Sequence, residues 1–305
     1  MSEKSIIDSK NQYIIISAKN ETFGLILNIS LSISSIFGFE YQELIGKNVD
    51  IIIPDIYHKE HKKILKNTLN EFKKKEVEVL NKKDNKKIQK EIYTFGRTKS
   101  KYLIELYLQQ KIMRNENNEI YFIASISKDY AYFHTNHIQE NNQYCYILTN
   151  KFLYIQNFTA NAVSFLGLSS GVINNNIEIT FFIKQFLEEF LQIVIEYNNQ
   201  LTNEEKLKIK RNILKKYKNP VNVFWKRNEV FESKFINSTK LDLKNSIIKK
   251  PSKTNFNNFD DFFNLMINDI IINEKLIGYI FRFGKLKFNN ITSTKVIVFS
   301  KNLIN

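Results

Sequence analysis

Few residues in this chain have the chemistry for a reaction. Its 305 residues hold four histidines and one cysteine. The histidines form two H-x-x-H pairs, His58 with His61 and His134 with His137. Two imidazoles at that spacing share a helix face and can touch one metal ion. A closed site needs further ligands, and no carboxylate or cysteine completes either pair at a recognisable spacing. Surface histidines are the plainer reading, and no metal is expected. Cys145 stands between Tyr144 and Tyr146 in an apolar run, where a thiol reads as a small buried hydrophobe. A single cysteine closes no intramolecular disulfide, and a reducing compartment fits it best. "GLSSG" at 167–171 has two glycines but neither the lysine nor the strand-to-helix setting of a phosphate loop. No Ser-His-Asp set, His-Glu-x-x-His or kinase signature occurs. The chain is not expected to be an enzyme.

Charge narrows the partners. Lys and Arg number 45 against 31 Asp and Glu, a net charge of +14. The lysines at 73–75, 82–83 and 86–87 fall in a stretch, 73–91, with little periodicity, which reads as a solvated loop. The basic segment Asn203–Lys218 is helical in pattern, with Ile209, Ile213 and Tyr217 at i, i+4 spacing. It could meet an acidic membrane surface or a calmodulin-like partner, although a packed surface helix explains it more simply. Nucleic acid would call for arginines and aromatics interleaved on one face. Trp225, beside Phe224, Lys226 and Arg227, is the only such hint, so a nucleic-acid partner is not expected. No apolar run approaches the ~18–20 residues that cross a bilayer, and the N-terminus lacks a signal-peptide core. The expected location is cytoplasmic, with membrane association as the alternative.

The elements that must position any site follow from periodicity. In "FGLILNIS" Phe23, Leu25, Leu27 and Ile29 alternate, as in a strand. Short helical turns broken at Gly38 and Gly46 come next, then Pro54 and the helix "DIYHKEHKKILKNTLNEF", with Ile56, Ile64, Leu65 and Leu69 as its apolar face. Three strands follow, Ile92–Gly96, Tyr102–Lys111 and Glu119–Ser127, the last two joined by a turn at "RNENNE". In the middle strand Ile104, Leu106 and Leu108 face one way and Glu105, Tyr107 and Gln109 the other.

The pattern recurs. "FGLILNISLSISSIFGF" (23–39) lies over "FLYIQNFTANAVSFLGL" (152–168) without a gap, matching Phe23 with Phe152, Asn28 with Asn157 and Gly38 with Gly167. The strand-turn-strand at 102–126 has a counterpart at 262–286, with its turn at "INEK". The expected organisation is a tail at 1–11, a domain at 12–130, a linker at 131–142, a second domain at 143–288 with an insertion at about 188–260, and a final strand or tail at 289–305.

"NISLSISSIFGFEYQELIGKNVDIIIPDIYHKEH", "FGRTKSKYLIELYLQQKI" and "EIYFIASISKD" together resemble the PAS domain pattern over residues 12–130. The second unit looks like a divergent PAS domain without the "IGKN…P…H" match. "FGRTKSKYLIELYL" and "NEKLIGYIFRF" are also similar to the PAS regions of ciliate membrane proteins of the TmcB-like group, whose multi-pass segments have no counterpart here. The resemblance implies an α+β fold of two PAS-like domains, each a five-stranded antiparallel sheet with helices on one face. It implies a non-enzymatic sensory or protein-interaction module in signal transduction.

Family chemistry can be tested against these residues. Flavin photoreceptors of this fold carry a Gly-x-Asn-Cys-Arg-Phe-Leu-Gln motif; the matching "GKNVDIIIP" has Val49 in the Cys position. In the family's oxygen-sensing haem members the axial His lies about two turns into the long helix, where this chain has Lys66. Neither flavin nor haem is expected, and no cofactor is. If the first domain takes a small apolar ligand, the resemblance places it between the long helix and the inner sheet face, lined by Ile53, Ile64, Leu65, Tyr93, Leu106, Leu108 and Phe122. A packed core there is the simpler reading. The outer sheet face is left for a protein partner or a homodimer. A membrane-peripheral scaffold docking through the basic insertion is the alternative.

Overall fold

The computed structural model describes residues 12–79, 89–127, 144–169, 171–197, 200–225 and 261–285. They form two compact units, residues 12–127 and 144–285. The tail at 1–11, the linker with His134 and His137, the lysines at 82–87, residues 226–260 and the C-terminal strand or tail lie outside the described residues.

In the first unit β1 (Gln12–Ser17) carries "YIII". Ile14 and Ile16 point into the core, and Tyr13 and Ile15 take the opposite face because strand side chains alternate. β2 (Ile26–Ile29) pairs antiparallel with β1, with a register irregularity between Ile15 and Ile16. α1 (Leu31–Phe37) buries Ile33, Ile36 and Phe37, at i, i+3 and i+4. It stops at Gly38, whose φ of 73° is left-handed and whose N–H donates to the Ser34 carbonyl. α2 (Tyr41–Leu44) is held by a capping box between Glu40 and Glu43. Two 3-10 turns, Val49–Ile52 and Asp55–Tyr57, flank Pro54 and lead into α3 (His58–Val79). α3 sets Leu65, Leu69 and Phe72 on one stripe against the core. It also runs through Lys73–Lys75, so part of the expected loop at 73–91 is helix. A lysine-rich sequence without periodicity still has good helix propensity, and the helix continues through it.

β3 (Gln89–Arg97), β4 (Leu103–Arg114) and β5 (Ile120–Ser127) complete a five-stranded antiparallel sheet in the order β2-β1-β5-β4-β3. Ile14, Ile26, Ile33, Phe37, Leu44, Leu106 and Phe122 share one core with the helices. The other sheet face carries Tyr13, Ile15, Met113, Tyr121 and Ile123.

The second unit repeats this plan. β6 (Tyr144–Asn150), β7 (Ile155–Phe158), α4 (Asn161–Leu166), α5 (Gly171–Asn174), a 3-10 turn at Ile179–Phe182 and α6 (Lys184–Glu196) correspond in order to the first unit's elements. α7 (Asn203–Leu214), a 3-10 turn at Lys215–Lys218, β8 (Val221–Trp225), β9 (Asp261–Ile272) and β10 (Lys275–Lys285) follow. The sheet order is β7-β6-β10-β9-β8, the first unit's order element for element. The register irregularity recurs between Leu148 and Thr149. Gly167 ends α4 with φ 67°, as Gly38 ends α1. The β9–β10 turn sits on Asn273 and Glu274, both at positive φ, as a tight hairpin requires.

The architecture is therefore α+β, with two five-stranded antiparallel sheets and their helices, as expected of two PAS-like domains. The insertion at about 188–260 needs correction at its start. Residues up to 225 hold the end of α6, α7 and β8, and β8 is one of the five strands, paired with β9 from Val221–Leu265 to Trp225–Asp261. The basic helix hid it: "VNVFW" follows a run of lysines and has no similar sequence in the first unit.

Candidate functional site

The interior of the first unit is the first place to look. Leu65, Leu106 and Phe122 lie in its core, and Ile53 and Leu108 pack against it half-buried. Ile64 lies on α3 at the margin, half-buried and outside that core. Tyr93 is on the wrong face for such a site. It pairs with Tyr107, whereas Leu106 and Leu108 project from the opposite side of β4, and its hydroxyl donates to Glu105 on that outer side. Alternation along β3 was visible in the sequence, but its register on β4 was not. Near β3 the interior is filled. A Cβ at Gly96 would stand 2.6 Å from Leu106 Cδ1 and 2.7 Å from Phe37 Cε1.

The histidine pair sits where α3 begins. His58 donates from Nε2 to the Ile53 carbonyl at 2.9 Å, across the Pro54 corner. His61 Nδ1 stands 3.5 Å from Asp50 Oδ1. The nearby His61, with His58 and Lys62, holds the Asp50 carboxyl below its usual range. Arg97 on β3 reaches back to Asp55 and to the Ile51 carbonyl. These side chains fasten the corner to β3. Among the described residues no three of His, Cys, Asp and Glu are grouped to hold a metal ion.

The outer face of the first sheet offers a different kind of site. A half-open groove of about 310 Å³ runs over β2, β1, β5 and β4. Ile15 and Ile123 make its floor, with Leu27 and Met113 beside them. Tyr13 and Ser125 stand along one side, Tyr121, Asn115 and Glu119 along the other, and Asn28 at the β2 end. The volume is at the low end of what small-molecule sites enclose. Leu27 is 50% exposed, so its side chain is open to an occupant of the groove. Glu119 is occupied: Lys19 Nζ lies 2.5 Å away and Asn115 donates to the other oxygen, which together hold its carboxyl below the usual range. The groove escaped the sequence reading because four strands supply it. The available signal was apolar residues at both parities in "QYIIIS" and "IYFIASIS", more than a sheet with one wet face needs.

At Asn203–Lys218 the second unit has the packed surface helix that was the simpler expectation. Ile213, Leu214 and Tyr217 are buried, and burial pushes the Tyr217 hydroxyl up to about 12. Much of the charge is engaged as well. Lys210 pairs with Glu178 at 2.5 Å and lies over the Phe190 ring, Lys216 meets Glu189, and Lys218 meets Asp269 at 3.0 Å. Most of the stripe is thus spent within its own domain, with Ile209 half-buried. Cys145 is fully buried, and burial pushes its thiol far above the usual range, which leaves it inert.

No family model and no curated protein matches the sequence. Among solved structures, the PAS domain of an HTR-like protein from Haloarcula marismortui is 10% identical, with a TM-score of 0.29 over 39% of this chain and 82% of its own. The Drosophila melanogaster Cycle PAS-B domain with bound glycerol is 19% identical, with a TM-score of 0.28 over 38% of this chain and 97% of its own. The PAS domain of the fruit-fly ELK potassium channel is 12% identical, with a TM-score of 0.30 over 41% of this chain and 90% of its own. Among the described residues no helix is long and apolar enough to cross a membrane.

Proposed function

We propose that the chain is a tandem PAS-type signalling module without catalytic activity, and that its first unit meets its ligand or partner on the outer face of the sheet. The observation that carries this reading is the groove floored by Ile15 and Ile123, on a domain whose interior beside Gly96 is already filled by Phe37 and Leu106. An occupant of the groove touches β1, β5 and β4 at once, and those strands also carry the core residues that hold α1 and α3. Binding there would favour one arrangement of sheet and helices over another.

Native mass spectrometry of the full chain tests this, because it reports subunit count and bound small molecules together. The comparison is wild type against Ile15→Lys, which puts a charge on the groove floor without touching the core face. A dimer or a bound adduct in wild type that is lost in Ile15→Lys supports the reading. A dimer or adduct that survives the substitution, or a wild type that is a bare monomer, overturns it.

A further inference from the structure

The register of the sheet runs one cross-strand row through the groove floor and on to Lys111, beside the lining. Lys111 on β4 lies opposite Ile123 on β5, Ile123 opposite Ile15 on β1, and Ile15 opposite Asn28 on β2. Directly paired residues project from the same face, so these four side chains form a line. It spans three inter-strand gaps, about 14 Å. One end is a cation, the middle is aliphatic and the far end is an amide.

The ends differ in what they still have to give. Lys111 is half-buried, and its ammonium has no hydrogen-bond or ion-pair partner among the described residues. The Asn28 oxygen already accepts from the Ile29 N–H and the Tyr41 hydroxyl, which leaves its NH₂ donors. The one carboxylate in the lining, Glu119, has both oxygens engaged by Lys19 and Asn115. The groove therefore offers N–H donors around an apolar floor and no uncompensated acid, and Lys111 stands next to its lining, one strand from Ile123.

From this we infer that the groove takes a small amphipathic carboxylate, a medium-chain or aryl-alkanoic acid. Its carboxylate meets Lys111 and its apolar body lies over Ile123 and Ile15 toward Leu27. The inference rests on the outer-face reading above and adds the chemical class of the ligand. A carboxylate at Lys111 gains a charge-assisted hydrogen bond, and an uncharged analogue of the same length keeps only the apolar contact.

The test uses the full chain, with octanoate as the probe and octanamide as its uncharged counterpart, both titrated by calorimetry. Octanoate is expected to bind about tenfold more tightly than octanamide. Lys111→Met should bring octanoate down to the octanamide level while leaving octanamide unchanged, and Lys111→Arg should keep the preference. A diazirine-bearing octanoate should label peptides from β1 and β5. Equal binding of the two probes, no effect of Lys111→Met, or no octanoate binding overturns the carboxylate assignment. In those cases a dimer or adduct that Ile15→Lys still abolishes leaves the outer-face reading standing. Label on α3 or on the inner residues of β4 overturns both.

Discussion

At the scale of single residues, the first unit's packing is most exposed at Gly96. The β3 backbone there approaches Phe37 and Leu106 too closely for any side chain: an added Cβ would fall inside contact distance of both. Gly96→Ala must therefore move the Phe37 ring, and should destabilise the first unit by about 1–3 kcal/mol, the usual cost of overpacking. Urea denaturation with unchanged slope and a lower midpoint is the expected readout; a midpoint equal to wild type would show that Phe37 relaxes freely. Asp50 gives a prediction with a pH sign. Its folded carboxyl is held low, first by His61, so the fold favours the ionised form. That contribution is present above the ordinary carboxylate value near 4 and is lost as pH falls through the lower folded value. Because the Asp50 side chain is 30% exposed, solvent screening keeps it to about 1 kcal/mol at most. Asp50→Asn should lower the urea midpoint at pH 7, and the deficit should shrink toward wild type as pH falls through the acid range. A deficit that persists at the acid end would mean that Asp50 acts through its shape rather than its charge.

At the scale of elements, the same stop signal closes α1 and α4. Gly38 and Gly167 take the left-handed conformation, and their N–H groups donate to Ser34 and Val163. A side chain at that φ costs about 1 kcal/mol, so Gly38→Ala and Gly167→Ala should lose about that much each, read as lower urea midpoints. A full Gly38→Ala deficit with none for Gly167→Ala would break the parallel between the units. Thr202, which caps α7 in a reciprocal box with Glu205, should cost a similar amount on replacement by Ala. This level was also the most legible. The 23–39 and 152–168 match predicted two equivalent β-strand–helix units because glycine and apolar spacing are local properties. The hairpins were visible for the same reason, from period-two alternation and turn residues. What failed was non-local. The placement of Tyr93 depends on how β3 registers against β4, and β8 belongs to its sheet only through its pairing with β9, across a gap from Trp225 to Asp261. The groove is the extreme case, since its lining is scattered from Tyr13 to Ser125 and none of its residues is unusual alone.

At the scale of the whole molecule, each sheet closes its own core. In the first unit Phe122 sits with Phe37, Ile14 and Leu106. In the second, Phe158, Phe182, Phe186, Phe281 and Phe283 are all fully buried, and Phe263 meets both Phe165 of α4 and Phe283 of β10. A core completed within one stretch of chain should unfold with that stretch. Phe122→Ala and Phe281→Ala each delete a ring from a site with no solvent access, and each should cost about 3–5 kcal/mol. Amide hydrogen exchange on the full chain separates the effects by position. Phe122→Ala should speed exchange across β1, β4 and β5 and leave β6, β9 and β10 at their wild-type rates; Phe281→Ala should do the reverse. If either substitution accelerates exchange equally in both sheets, the two units unfold as one cooperative body, and a signal received at the first sheet would reach the second through shared stability.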